Sequence, residues 1–477
     1  MISTESKYTG GYFIKRDEVS VLNYENIDGL FVTNEIEQSI KSKILELIES
    51  SKYSIKLCSF IVSDPEIYSA LMDKLKSSEI AIFILTQLDE NKLSASLIAE
   101  DLSENFNQKH IDYIGRLYES GAHVRAAKSA HAKFIISDNQ DALIMSANIT
   151  TPSLNTNPES AILVDDKEDL CNLVELFDII YQYGTEFTKF KTASKSKQFI
   201  VSRDITIQNE WLSELSNNNL KFTWAESNRS LYHSIIDNII NATTTNPLLI
   251  STYSVVGLGN IPELIEAIKE FIQKGGTIKL FCRGMNYRAD HLKNCQVLAE
   301  IGVEIYGDLY NHSKGIVSSE SGIIFTANID GNHGLINGFE IGLELNNNQL
   351  NKLTKLIQWQ IENAPLKFKL NPEKKEYVNT YNYYASMKGI NPITLNTNTM
   401  FVVNSTDEEE ELSRYPTYLF FDKFKNLKYI MVNDSYYRVR LENNSVYLEQ
   451  KVNRVLGMES YLHSLEEISI TIKNNKS

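Results

Sequence analysis

Apolar and polar positions along the first 365 residues alternate in an order that runs twice. In the first pass, Tyr53–Val62 (YSIKLCSFIV) reads as a buried strand and Pro65–Ser77 (PEIYSALMDKLKS) as a helix. A second strand follows at Ile80–Thr86, then a helical region ending in Ile114–Ser120 and a strand at Ala122–Ala127. In the second pass, Pro247–Val256 (PLLISTYSVV) is the strand and Ile261–Gln273 (IPELIEAIKEFIQ) has the apolar spacing of an amphipathic helix. After Gly275-Gly276 come the strand Thr277–Arg283, the helical His291–Ile301 and the short strand Val303–Tyr306.

Strand, helix, strand, helix, strand is the pattern of a parallel sheet covered by helices. Two such passes predict an α/β fold of two pseudo-symmetric α-β-α sandwich units, residues 1–197 and 198–365, with the polar stretch Thr192–Lys197 as the connection. Beyond Pro365 the character changes. Tyr415–Phe421, Lys428–Val432, Tyr436–Leu441 and Ser445–Gln450 read as short, mostly tyrosine-bearing strands separated by turn residues. Residues 366–477 are therefore expected to form a small C-terminal antiparallel β-rich domain, preceded by a solvated acidic run at Asp407–Glu411.

Composition narrows the class. The chain is 42% hydrophobic and 23% charged, with few glycines and prolines, which predicts ordered globular structure throughout. Met1–Arg16 lacks the apolar core of a signal peptide, and no uncharged apolar run reaches the roughly 18–20 residues that span a bilayer. The four cysteines, Cys58, Cys171, Cys282 and Cys295, are scattered, and Cys58 and Cys282 lie in strand-like runs, which predicts buried free thiols and a reducing cytoplasm. A net charge of −14 lowers the expectation of a protein that adheres to nucleic acid or anionic lipid by its overall field, though a cleft can be basic locally.

The chemistry sits just after the third strand of each pass. His131-x-Lys133-x4-Asp138 is followed by Ser146-Ala147-Asn148 and Glu159; His312-x-Lys314 is followed by Thr326-Ala327-Asn328 and Glu340. The two histidines lie 181 residues apart (131 to 312) at the same place in their units. This doubled pattern resembles the HxKxxxxD and GSxN signature of the phospholipase D superfamily, over roughly residues 30–365. One HxK alone is a weak match; two, each with its downstream asparagine and glutamate, are a strong one. The copies are unequal. Ser319 stands where the second copy would carry the aspartate, Met145 and Phe325 replace the signature's glycine, and the step from histidine to asparagine is 17 residues in one half and 16 in the other.

The resemblance implies a metal-independent phosphodiesterase with no cofactor, in which one histidine attacks phosphorus and the other protonates the leaving oxygen. Histidine and lysine two apart on a strand face the same side. Lys133, Lys314, Asn148 and Asn328 would hold the non-bridging oxygens, where charge gathers as phosphorus becomes five-coordinate. Glu159 and Glu340 would hold the second ring nitrogens of the histidines, Ser146 and Thr326 would sit at the substrate, and His131, in the fuller motif with Asp138, is assigned as nucleophile. Arg283, at the same edge of its strand, is a candidate phosphate contact, and His333 lies in a loop near the second half-site. His110, His123, His233, His291 and His463 are read as structural, and no HxxxH, HExxH or cysteine cluster has metal-ligand spacing.

Three substrate readings stand. The first is a bacterial cytoplasmic nuclease, DNA before RNA, by analogy with superfamily members in restriction and phage defence; the tyrosine-rich domain would then serve nucleic-acid or protein recognition. The second is a phospholipase or phosphatidyltransferase without stable membrane insertion. The third is a non-catalytic binding module, against which the intact second half-site argues.

Overall fold

The computed structural model describes residues 7–472 apart from 18, 20–28, 78, 89–92, 94–104, 128–129, 192–197, 226, 287, 388–399, 404–413, 422–425, 433–434, 443–444, 453–458 and 464–468. The connection expected at Thr192–Lys197 and the acidic run Asp407–Glu411 lie outside the described residues. Two compact units are present: residues 20–283 with 301–364, and residues 1–19 with 284–300 and 365–477.

The first unit holds both repeats except for residues 284–300 of the second, which belong to the other unit. The first repeat comprises β1 (Phe31–Thr33), α1 (Ser39–Ser50), β2 (Ser54–Cys58), α2 (Pro65–Ser77), β3 (Ala81–Leu85), α3 (Asn105–Glu119), β4 (His123–Ala127), β5 (Phe134–Ser137), β6 (Asp141–Met145), β7 (Glu159–Leu163) and α4 (Lys167–Tyr183). It continues into the paired strands β8 (Thr185–Lys191) and β9 (Gln198–Ser202). The second comprises β10 (Leu220–Trp224), α5 (Ser230–Ile240), β11 (Leu248–Ser251), α6 (Pro262–Gln273), β12 (Ile278–Arg283), β13 (Glu304–Asp308), β14 (Gly315–Val317), β15 (Gly322–Phe325), β16 (Phe339–Glu344) and α7 (Asn347–Asn363).

Seven strands of the first repeat run in the order β4-β3-β2-β5-β6-β7-β1, and seven of the second in the order β13-β12-β11-β14-β15-β16-β10. The senses match pair for pair. β2, β3 and β4 are mutually parallel, as are β11, β12 and β13; every later pairing is antiparallel. The expected parallel sheet is thus corrected to a mixed one. Parallel neighbours need a crossover of a dozen or more residues, which α2 and α6 provide, whereas Asp138–Gln140 is a turn that can only reverse the chain.

The buried faces of the two repeats share one core. Phe134, Ile144 and Ile162 of the first sheet and Val317, Ile324 and Ile341 of the second pack with Leu173 and Phe177 of α4 and Leu353 and Ile357 of α7. Asp166 caps α4 and Asn346 caps α7 with a capping box, so both core helices start by satisfying their own free N–H groups. A second cluster, with Ile40, Ile44, Ile67 and Ile114, buries α1, α2 and α3 on the other face of the first sheet.

In the other unit, Gly11–Lys15 pairs antiparallel with Leu366–Leu370, beside the helix Lys374–Met387. Asn286 holds both the N–H and the carbonyl of Phe13 at 2.8 Å, while His291 stacks on the Phe13 ring. The four tyrosine-bearing strands form at Thr417–Phe421, Leu427–Val432, Ser435–Glu442 and Ser445–Val452, antiparallel to one another in a seven-stranded sheet whose strand Met400–Val403 pairs parallel with two neighbours. Among the described residues no helix is long and apolar enough to cross a membrane.

Candidate active site

The strands of each repeat end at one edge, and both edges deliver their polar residues to one place. His131 and Lys133 lead into β5, and His312 and Lys314 lead into β14. Each histidine is pinned by the opposite repeat. The His131 and Ala132 N–H groups both donate to the Phe339 carbonyl, at 3.0 and 2.8 Å, and the His312 N–H donates to the Pro158 carbonyl at 2.9 Å. Phe339 and Pro158 each immediately precede a site glutamate, so the backbone bonds set the side-chain pairing that follows.

That pairing is crossed. Nδ1 of His131 lies 2.6 Å from Glu340 Oε1, and Nδ1 of His312 lies 2.8 Å from Glu159 Oε1. Both carboxylates are buried. Ser146 Oγ donates to Glu159 at 2.5 Å and Thr326 Oγ1 donates to Glu340 at 2.6 Å, so both hydroxyls are engaged on the carboxylates. Each hydroxyl also accepts the N–H one residue past its glutamate, Ser160 or Ile341. Burial works against ionisation of Glu159, but the charge and hydrogen bond of His312, then Lys314 and Ser146, carry its carboxyl below the usual range. Glu340 is depressed in the same way by His131, Lys133 and Thr326. Two ionised carboxylates therefore hold the two imidazoles.

Lys133 and Lys314 are buried completely, and each ammonium is held over its own histidine's carbonyl, at 2.5 and 2.6 Å. Lys133 Nζ also lies 3.0 Å from Nε2 of His131. Asn148 is buried and Asn328 partly exposed, each with its backbone carbonyl accepting the N–H two residues on, at 2.8 Å. The half-sites differ in access: the His131 side chain is 21% exposed and that of His312 only 5%.

Asp138 and Arg283 have structural partners outside the histidine–glutamate pairs. Asp138 and Asn139 both adopt positive φ, and Gln140 N–H closes the turn onto the Ser137 carbonyl, the pattern of a type I′ hairpin. The Asp138 carboxylate accepts the N–H groups of Lys52, Tyr53 and Ser54 at 2.7–2.8 Å and so latches this turn to the start of β2. In the second repeat Ser319 and Glu320 bond Thr243 instead, which gives that turn a different latch. Arg283 Nε donates to the Leu309 carbonyl at 2.6 Å, with its guanidinium 5.5 Å from the Tyr253 ring. Asp308, whose carboxyl burial pushes up, accepts from Tyr310 and Asn311, so the segment leading to His312 is braced from both ends.

Of the remaining histidines, His110 is buried, accepts the Val62 N–H at Nδ1 and bonds the Gln87 carbonyl through Nε2; burial lowers it to about 4. His123 stacks on Phe83, and His333 is exposed in a turn. Cys58, Cys282 and Cys295 are buried, Cys171 is exposed, and none of the four is in a disulfide.

Sequence reasoning passed over one pair of neighbours. Phe60 lies edge-on to His131, with centroids 6.0 Å apart, and Tyr253 lies edge-on to His312 at 5.2 Å. Each follows a hydroxyl residue, Ser59 or Thr252, directly after β2 or β11 of its repeat. A hydroxyl–aromatic dipeptide at matched positions was the available signal.

Residues 44–188 match the family model described as cardiolipin synthase, PLD-like domain. The mitochondrial cardiolipin hydrolase of Canis lupus familiaris is 25% identical over 158 residues, which is 32% of this chain and 56% of that protein. The enzyme of that name from Mus musculus is 25% identical over 148 residues, 30% of this chain and 59% of its own length. The chain thus spans little more than half the length of these curated relatives. Among solved structures, the phosphatidylserine synthase of Haemophilus influenzae Rd KW20 is similar with a TM-score of 0.50 and 13% identity, covering 76% of this chain and 94% of that one. At that identity the likeness is one of fold.

Proposed function

The chain belongs to the phospholipase D superfamily, and from that premise we propose that it is a phosphodiesterase acting through a phosphohistidine. The observation that carries this reading is the crossed pair of histidine–glutamate contacts, closed over two buried lysines. With Nδ1 of each ring committed to a carboxylate, the reaction falls to Nε2. Nε2 of His131, the more exposed of the two, attacks phosphorus, and His312 gives a proton to the departing oxygen. His312, now neutral, takes a proton from water as that water attacks the phosphohistidine, which restores both rings. Lys133, Lys314, Asn148 and Asn328 hold the non-bridging oxygens through both steps.

As substrate we propose a nucleic-acid strand. A net charge of −14 opposes field-driven adhesion to nucleic acid and to anionic lipid alike. A strand in solution, however, need present only one phosphate to the site, whereas a lipid phosphodiester requires contact with an anionic surface over a wide area. A cytoplasmic enzyme of restriction or phage defence fits the same reading. The lipid reading is favoured by the names of the curated relatives and of the similar synthase.

The test incubates the protein, in EDTA, with single- and double-stranded DNA, RNA and cardiolipin-containing vesicles, alongside His131→Ala and His312→Ala. Cleavage of nucleic acid lost in both variants is the expected result. Turnover of lipid alone replaces the substrate class, and activity that EDTA abolishes overturns the mechanism.

A further inference from the structure

In each repeat a central strand, β2 or β11, is followed directly by a hydroxyl residue that the proposed reaction does not use. Ser59 follows β2 and Thr252 follows β11, and both are buried. Ser59 Oγ accepts the N–H of Ile149 at 3.1 Å and donates to the Ile61 carbonyl at 2.7 Å. Thr252 Oγ1 accepts the N–H of Ile329 at 3.1 Å and donates to the Ser254 carbonyl at 3.2 Å. Ile149 and Ile329 are the residues directly after Asn148 and Asn328. One hydroxyl thus fixes the backbone beside each site asparagine.

The surrounding bonds make this a joint rather than a stray contact. Val62 bridges Ile149, and Ser63 and Asp64 both donate to the Ile149 carbonyl; Val255–Val256 pairs in parallel with Ile329–Asp330. The close approach has a steric mark in the second repeat, where a Cβ on Gly331 would strike the Gly257 carbonyl oxygen. The residue after each hydroxyl is the aromatic that abuts the histidine, Phe60 or Tyr253. A three-residue segment, Ser59-Phe60-Ile61 or Thr252-Tyr253-Ser254, therefore touches the asparagine loop at one residue and the histidine ring at the next.

We infer that Ser59 and Thr252 are positioning residues, each holding the phosphate-binding asparagine of its half-site in register with that half-site's histidine. The inference rests on the phosphodiesterase reading. Removing the hydroxyl leaves a buried N–H without its acceptor and lets the asparagine shift, which costs the interaction made most strongly in the transition state.

The experiment compares Ser59→Ala, Thr252→Ala, Ser59→Thr and Thr252→Ser with the wild type, well below each protein's unfolding temperature. It measures kcat and KM on bis(p-nitrophenyl) phosphate and the affinity for orthovanadate, whose five-coordinate adduct needs no turnover. Each alanine variant is expected to lose about tenfold in kcat and in vanadate affinity, with KM within about twofold. The hydroxyl exchanges, which each repeat already exemplifies for the other, should stay within about threefold of wild type on both. Alanine variants that keep kcat and vanadate affinity overturn the inference, as do exchanges as impaired as the alanines. A wild type that binds vanadate without hydrolysing the ester sinks the phosphodiesterase reading alone, and the vanadate affinities then decide the positioning role. A wild type that does neither overturns both.

Discussion

Glu340 sits 2.6 Å from His131 across 209 residues of chain, reaching it from the opposite repeat. Its mirror contact, Glu159 to His312, spans 153 residues. Neither half-site is complete within its own repeat. Glu340→Gln and Glu159→Gln keep shape and remove the charge that orients each imidazole and stabilises its cation. Each is expected to lower kcat by about 10²–10⁴, and the double variant to fall far less than the product of the two, since the groups act as a unit. Steady-state kinetics on bis(p-nitrophenyl) phosphate checks this; independent, additive losses would show that the crossed pairs do not act together.

Because both glutamates are held below the usual carboxylate range, they bind protons more weakly in the folded protein than in the unfolded chain. Their stabilisation is full above the unfolded carboxylate value, about 4.3, and is lost as pH falls through the lower folded values. Thermal unfolding followed from neutral pH downward should steepen below about pH 5. In the double glutamine variant that steepening should shrink, and an unchanged acid limb would refute the assignment.

His110 has its own window. A buried imidazole lowered to about 4 stays neutral while the unfolded chain takes up a proton near its ordinary value of about 6.5. Stability supplied by this residue is therefore whole above that value and is lost as pH falls from about 6.5 to 4, by of order 3 kcal/mol in all. NMR of the His110 ring protons should show no titration between pH 7 and 5. A midpoint near 6.5 would mean the ring is not locked between Val62 and Gln87.

Asp138 latches a turn and bonds no site side chain. Asp138→Ala should cost about 1–3 kcal/mol in unfolding free energy by denaturant titration, since three N–H groups lose a charged acceptor. The remaining folded enzyme should keep kcat within about threefold. A loss of kcat comparable to that of His131→Ala, with stability unchanged, would place Asp138 in the chemistry instead.

The sequence carried most of the elements because their signals are local. Pro65–Ser77 is a helix over the same residues that the pattern predicts, and all four tyrosine-bearing strands formed within two residues of their expected limits. The sense of the later strands was not local. It depended on the three-residue turn Asp138–Gln140 being too short for a crossover, a constraint masked by the apparent strand–helix rhythm before it.

By itself the sequence singled out most of the residues that meet at the candidate site, though not Phe60 and Tyr253. His131, Lys133, Asn148 and Glu159 recur as His312, Lys314, Asn328 and Glu340, and a duplicated unit must place its copies at equivalent positions of equivalent strands. Only the tertiary structure decided who partners whom. Glu159 serves His312 and Glu340 serves His131 because the N–H groups of each HxK strand dock on the carbonyl just before the other repeat's glutamate. Spacing along the chain contains no information about that contact, since the hydrogen bonds that enforce it exist only once the two sheets share a core.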